Sequence, residues 1–281
     1  MTNAGRNAAT PQSGGSPGMA HEEVHVRIDI AASVETVWRF MSDGERFASW
    51  IGAFAGQAPL PGTKIEAREG GSIRIAYPGN NAAVGTITVF VPRERIAFSW
   101  GYEDSSQGVP TGSTLVEITL TEIAKGTRVD LRHSGLPTQQ VRDGHRGGWT
   151  HYLSMLARNS TGAHYSEAAT ALAAYFAAWR EADAGKRTAL LENACADEVS
   201  LRSSFACTDS RTELAAHISN ARQHMPGVEL HQAGNVQQLH EYAQCGWAAR
   251  TPEGENVFSG VAFATFGLDG RIATMVTFAG G

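Results

Sequence analysis

Hydrophobic positions near the start of the chain recur every second residue. Val24, Val26, Ile28 and Ile30 alternate with His25, Arg27 and Asp29. Period two predicts a strand with one buried face. Ser33 then stands where a helix carrying Val37, Trp38 and Met41 on one side needs a cap, and a short helical segment holds Phe47 and Trp50. From Lys64 to His133 the pattern predicts strands at 73–77, 86–91, 96–102, 114–121 and 127–133, separated by Gly, Pro and Asn. Such a run makes a curved antiparallel meander. From about Val141 the period returns to 3.6, with His145, Gly148, Trp149, Tyr152, Leu153 and Leu156 on one stripe. A long amphipathic helix after a meander has the concave face of the sheet to cover.

Residues 159–166 are polar and read as a linker. Beyond them Leu172, Tyr175, Phe176 and Trp179 recur at helical spacing, Asp183 continues that stripe, and a short helix runs through Leu190 and Leu191. Ser210-Arg211-Thr212-Glu213 reads as a capping box opening a helix with Leu214, His217, Ile218 and Ala221 on one side. Pro226-Gly227 stops it, and strands follow at 228–232, 244–250, 257–266 and 271–278, the last two joined by Asp269-Gly270. Helices followed by a bent sheet predict an α+β cone. The two element orders differ, so the units are not a repeat. The expected division is a disordered tail over 1–20, a domain over 21–158, the linker, and a domain over 167–281.

Length and charge narrow the function classes. The chain has 281 residues, of which 42% are hydrophobic and 18% charged, enough to bury sizeable cores without staples. Residues 161–281 hold 8 basic and 13 acidic side chains against 15 of each in residues 1–160. Neither half has the cationic field that phosphate backbones or anionic membranes require, so no nucleic-acid or membrane partner is expected. No apolar run is long enough to cross a bilayer. The tail lacks the apolar region of a secretory signal, so a cytoplasmic location is expected. Cys195, Cys207 and Cys245 are odd in number and widely spaced, and no metal site or cofactor is expected. HExxH, GxSxG, Walker and GxGxxG motifs do not occur.

Two resemblances add to this reading. Val37-Trp38, Trp50, Gly70-Gly71, Pro92-Arg93-Glu94-Arg95-Ile96, Phe98-Ser99-Trp100, Gly126-Thr127, Leu131–Leu136, and His145 with Gly148-Trp149 and Leu153 occur in order. By these residues 22–158 resemble the SRPBCC superfamily, in its branch named after the activator of the heat-shock-protein-90 ATPase. The resemblance implies a helix-grip (START-like, Bet v-like) domain with a cavity between the sheet and the last helix. Relatives bind lipids, hormones or polyketides, or act on them, and the inherited name implies no chaperone role. Residues 166–281 resemble the SnoaL-like branch of the nuclear transport factor 2-like superfamily. Tyr175-Phe176, Ala178-Trp179, Asp183, Arg187, Pro226-Gly227, Trp247, Gly260, Asp269–Ile272 and Phe278 carry that match. Relatives include polyketide cyclases, isomerases and dehydratases. They commonly carry an Asp-Pro pair on the first strand after the second helix. Here that region reads Val199–Ser204 without an acid.

The residues support a binder of a small hydrophobic or aromatic molecule before any chemistry. Trp100, His145 and Trp149 in the first half, and Tyr175, Trp179, His217 and Trp247 in the second, are the candidate ligand contacts. Trp149 also suits a packing anchor, and His133 could join Trp100, His145 and Trp149 around the first cavity or, ending a strand, could equally face solvent. An enzyme of the cyclase, isomerase or dehydratase type would use His217 and Asp183 as its polar groups, with Tyr175 orienting the substrate. Against this, a lone histidine has no triad geometry behind it. Asp183 equally suits the N-cap of the helix through Leu190, the role we favour. A protein–protein or homodimer module would require an exposed apolar patch.

Overall fold

The computed structural model describes residues 23–52, 60–79 and 81–280. The tail expected over 1–20 lies outside the described residues. The chain is α+β, with two sheets and two separate apolar cores.

In the first half β1 (Val24–Ile30) leads into α1 (Val34–Ser42) and α2 (Gly44–Ile51). The Ser33 side chain accepts from the Thr36 N–H and caps α1, and Asp43 caps α2 in the same way from Arg46. The corner is locked by the buried Trp50, whose indole donates to the Phe40 carbonyl at 2.8 Å. A meander follows: β2 (Lys64–Ile65), β3 (Ser72–Tyr77), β4 (Asn81–Val91), β5 (Arg95–Tyr102), β6 (Thr114–Ile123) and β7 (Gly126–Ser134). The spatial order is β1-β7-β6-β5-β4-β3-β2, antiparallel throughout. The long helix α3 (Gln139–His164) buries Trp149, Tyr152, Leu153 and Leu156. Its Trp149 ring centroid is 5.1 Å from that of Trp100 on β5, so the helix is gripped by the sheet.

The expected linker is helix instead. α3 runs on through residues 159–164, and Ser160 and Thr161 are buried. The polarity that suggested a linker is turned inward and satisfied. Ser160 Oγ donates to the Leu156 carbonyl one turn back, and Asn159 Nδ2 donates to the Ser49 carbonyl at 3.0 Å. His164 at the helix end touches both halves, with Nε2 donating to the Leu268 carbonyl at 3.0 Å and Nδ1 3.2 Å from the Thr36 hydroxyl.

The second half opens with α4 (Ala168–Arg180) and α5 (Ala184–Ala194), then β8 (Cys195–Arg202), β9 (Cys207–Thr208) and α6 (Arg211–His224). Ser210 caps α6 as expected, but the Glu213 carboxylate reaches back to the N–H of Asp209, not to that of Ser210. Strands β10 (Glu229–Leu239), β11 (Tyr242–Arg250), β12 (Asn256–Phe266) and β13 (Ile272–Ala279) form an antiparallel run. β13 then pairs in parallel with β8. β10 outruns its expected end at Gln232 because its register shifts between Ala233 and Gln237, which hides the alternation. Gly270 turns the β12–β13 connection at φ 76°, where a side chain would be strained. Ala243, Cys245, Trp247 and Ala249 of β11 face the helices, and this bent sheet under helices is the cone.

Trp50→Ala removes the largest fully buried side chain of the first half together with its hydrogen bond. It is expected to cost about 3–5 kcal/mol, read as a lowered urea midpoint, and a loss under 1 kcal/mol (by ~10% precision of such midpoints) would contradict the locking role.

Candidate functional site

Each half encloses a cavity between its helices and its sheet. The first, about 530 Å³, is lined by Tyr77, Trp100 and Tyr102 from the strands and by Val141, His145 and Trp149 from α3, among others. Beneath it the proton positions are dictated by partners. The Trp149 indole donates to His133 Nδ1 at 3.0 Å. The Thr114 hydroxyl donates to the Trp100 carbonyl at 3.0 Å, so at 2.9 Å it must accept the proton of His133 Nε2. His133 is therefore a neutral ring with both nitrogens used. Burial, with His145 nearby, lowers its pKa to about 3.

His145 has the opposite tautomer. Its Nδ1 donates to the Val141 carbonyl at 2.8 Å, and Nε2 is left as an acceptor 3.3 Å from the Tyr102 hydroxyl. Burial lowers its pKa despite that carbonyl. Burial also raises the phenols of Tyr77, Tyr102 and Tyr152, which stay protonated donors. The Trp100 indole nitrogen is buried beside this cavity and closes no hydrogen bond of normal geometry; its poorly aligned contact with the Tyr102 hydroxyl opposes the rise that burial gives that phenol.

The second cavity, about 370 Å³, lies between α4, α6 and the concave face of the sheet. Its wall includes Tyr175, Phe176, Trp179, His217, Leu230 and Trp247. Tyr175 is fully buried, and burial raises its phenol well above the ordinary range. His217 is half-buried with its ring 5.6 Å from that of Trp179, and burial lowers its pKa. The indole nitrogens of Trp179 and Trp247 are both buried and close no hydrogen bond of normal geometry; the Trp179 N–H has a poorly aligned contact with the Tyr175 hydroxyl, which opposes the rise that burial gives that phenol. Asp, Glu, Lys and Arg are missing from the described lining of either cavity.

The comparisons with known proteins follow the same division. Residues 31–160 match the family model described as Activator of Hsp90 ATPase homolog 1-like protein. An AHSA1-like protein from Rhizobium etli is 34% identical over 50% of this chain and 81% of its own, with a TM-score of 0.39. The first half of the chain belongs to this family. CalU16 from Micromonospora echinospora is also similar, at 30% identity over 48% of this chain and 73% of its own, with a TM-score of 0.37. A SnoaL-like family protein from Agrobacterium tumefaciens, provisionally described as an isomerase, is 28% identical over 41% of this chain and 99% of its own, with a TM-score of 0.39. No curated protein matches the chain in sequence. Among the described residues no helix is long and apolar enough to cross a membrane.

Trp100, His145 and Trp149 meet in the AHSA1-like half, and Tyr175, Trp179, His217 and Trp247 meet in the other. Asp183 joins neither group. It is exposed, outside both linings, and its carboxylate accepts from the Lys186 N–H at 2.8 Å as the N-cap of α5. α4 ends at Arg180, so the helical stripe that placed Asp183 toward the cone stops before reaching it. His133, read as a residue that could face solvent, is fully buried. Sequence reasoning missed Tyr77 and Tyr102 as cavity residues. Tyr102 was within reach, since Phe98, Trp100 and Tyr102 share one face of β5 at period two. Tyr77 was equally within reach, since Ile73, Ile75 and Tyr77 share one face of β3.

The neutral histidines give the stability a pH dependence. The folded chain keeps His133 unprotonated down to about 3, whereas the unfolded ring takes up its proton near the ordinary histidine value of 6.5. The stability held by that neutral ring is complete above the unfolded value and is lost as pH falls toward the folded one, by at most about 1.4 kcal/mol per unit. His145 and His217, also lowered, act with the same sign. The urea midpoint is expected to fall steadily from neutral pH into the mildly acidic range. His133→Asn should be less stable at neutral pH but show a shallower decline. An equally steep decline in that variant would remove His133 as the cause.

Proposed function

We propose that the chain binds a small, neutral, hydrophobic or aromatic molecule, with the second cavity as a principal seat. One observation carries this reading: the Trp247 indole N–H is buried and unpaired in an apolar cavity without charged side chains, and the Trp179 N–H beside it has only a poorly aligned contact with the Tyr175 hydroxyl. An unmet buried donor costs about 1–3 kcal/mol. A ligand oxygen that accepts from it recovers that free energy, whereas an anion or cation would find no counter-charge. The class that fits is an apolar ring compound with a carbonyl. Cyclase- or isomerase-type chemistry finds less support, because the carboxylate expected to work with His217 lies elsewhere as a helix cap.

Fluorescence titration with 9-fluorenone and with fluorene, its counterpart without the carbonyl, tests this. The ketone should bind roughly tenfold tighter, the worth of one recovered hydrogen bond. In Trp179→Phe and Trp247→Phe that preference should shrink. Equal affinity for the two compounds in the native chain would refute the donor argument.

A second reading, homodimer formation, is favoured by the outer face of the second sheet. Val261, Phe263 and Phe278 are exposed there, Phe278 by 59%, and the two phenylalanine rings lie 6.1 Å apart. Tyr242 and Gln244 pair with neighbouring positions of β12 on the same face. Arg202 at its margin is already paired with Asp209. Such a face lacks charge to attract an unlike partner and suits a second copy of itself. Light scattering is expected to report a dimer that Phe263→Glu converts to a monomer. A monomer in the native chain would end this reading.

A further inference from the structure

The walls of the second cavity differ in polarity. Strand side chains such as Leu201, Leu230 and Ala249, with the rings of α4, make most of it apolar. Helix α6 instead brings His217, Asn220, Ala221 and His224 to the same space. A helix side that meets an apolar cavity ordinarily carries apolar residues, so two imidazoles there need a reason. His217 and His224 are seven residues apart. They share one side of the helix, about two turns and about 10 Å apart along its axis. Ala221 stands between them and projects least. His224 Nδ1 lies 2.8 Å from the Asn220 carbonyl, to which it can only donate, so in the neutral ring Nε2 is an acceptor. His217 is half-buried, and burial lowers its pKa, so its ring is neutral and one nitrogen accepts. Among the described residues its ring nitrogens close no hydrogen bond. From the sheet, Trp247 adds a buried indole N–H without a partner.

We infer that α6 measures ligand length: His217 and His224 accept hydrogen bonds from two hydroxyls at the ends of one rigid, flat, apolar molecule. The body of that molecule lies over Ala221. A carbonyl midway along its other edge accepts from the Trp247 indole. A shorter molecule, or one with a single hydroxyl, leaves one imidazole unmet. The ligand class narrows from an apolar ring compound with a carbonyl to a rod-like diphenolic ketone, and His217 acts as a hydrogen-bond acceptor, not as a base. This inference rests on the binding reading above and names the residues that set its specificity.

Fluorescence titrations at neutral pH compare 9-fluorenone, 2-hydroxy-9-fluorenone and 2,7-dihydroxy-9-fluorenone, whose two hydroxyls are about as far apart as the two histidines. In the native chain each added hydroxyl should tighten binding roughly tenfold, the worth of one hydrogen bond. In His217→Phe and in His224→Phe the diol should lose its advantage over the mono-ol. In the double variant neither hydroxyl should help. Each comparison is a ratio within one variant, so a loss common to all three compounds cancels. Equal affinity of diol and mono-ol in the native chain, with the ketone still bound, overturns the length measurement and leaves the binding reading standing. A diol advantage that survives either substitution does the same. Binding of none of the three compounds overturns the binding reading, and this inference with it.

Discussion

A single uncharged imidazole sits where the first half has to hold together. His133 accepts a hydrogen bond from the Trp149 indole on the helix and donates one to the Thr114 hydroxyl on the sheet, which donates in turn to the Trp100 carbonyl. A buried polar chain of this kind is stabilising only when every member is satisfied. Here each donor meets an acceptor, so the network joins α3 to the sheet at one register.

The two cavities answer the same constraint differently. In the first, hydrogen bonds within the protein occupy most polar groups and leave Trp100 over. In the second, Trp179 and Trp247 are both left over, and apolar neighbours surround them. Unmet donors in a close-packed protein are rare and costly. Their appearance beside open volume, and without charged neighbours, is the ground for the proposed preference for oxygen acceptors. Arg187 supplies no charge to this cavity, being committed to the Glu181 carbonyl at 2.9 Å and the Ser219 hydroxyl at 3.0 Å. Asp183 is spent on capping α5.

Much of this was legible in the residues themselves. Alternation set out most of the strands, and the stripe from Trp149 to Leu156 set out the gripping helix. Ser33 and Ser210 marked helix starts because an orphan N–H needs an acceptor wherever a helix begins. The linker was misread because polar residues were taken to face water, yet Ser160 bonds back into its own helix and Asn159 reaches another. His133 was open between cavity and solvent, and it is buried with both nitrogens matched. Asp183 was extrapolated along a helix that ends three residues before it.

Periodicity, capping and turn chemistry are local, so the sequence by itself determined the element order, the α+β class and the apolar stripes that face inward. Which polar groups find partners depends on atoms far apart in the chain. His133 and Thr114 are 19 residues apart, and Thr36 and His164 are 128 apart. Only the tertiary structure decided that the Trp247 indole stays unpaired, that Trp100 and Trp179 close no hydrogen bond of normal geometry, and that Asp183 faces water. Hydrogen-bond satisfaction is settled by what packing brings within reach, and packing is a property of the whole fold.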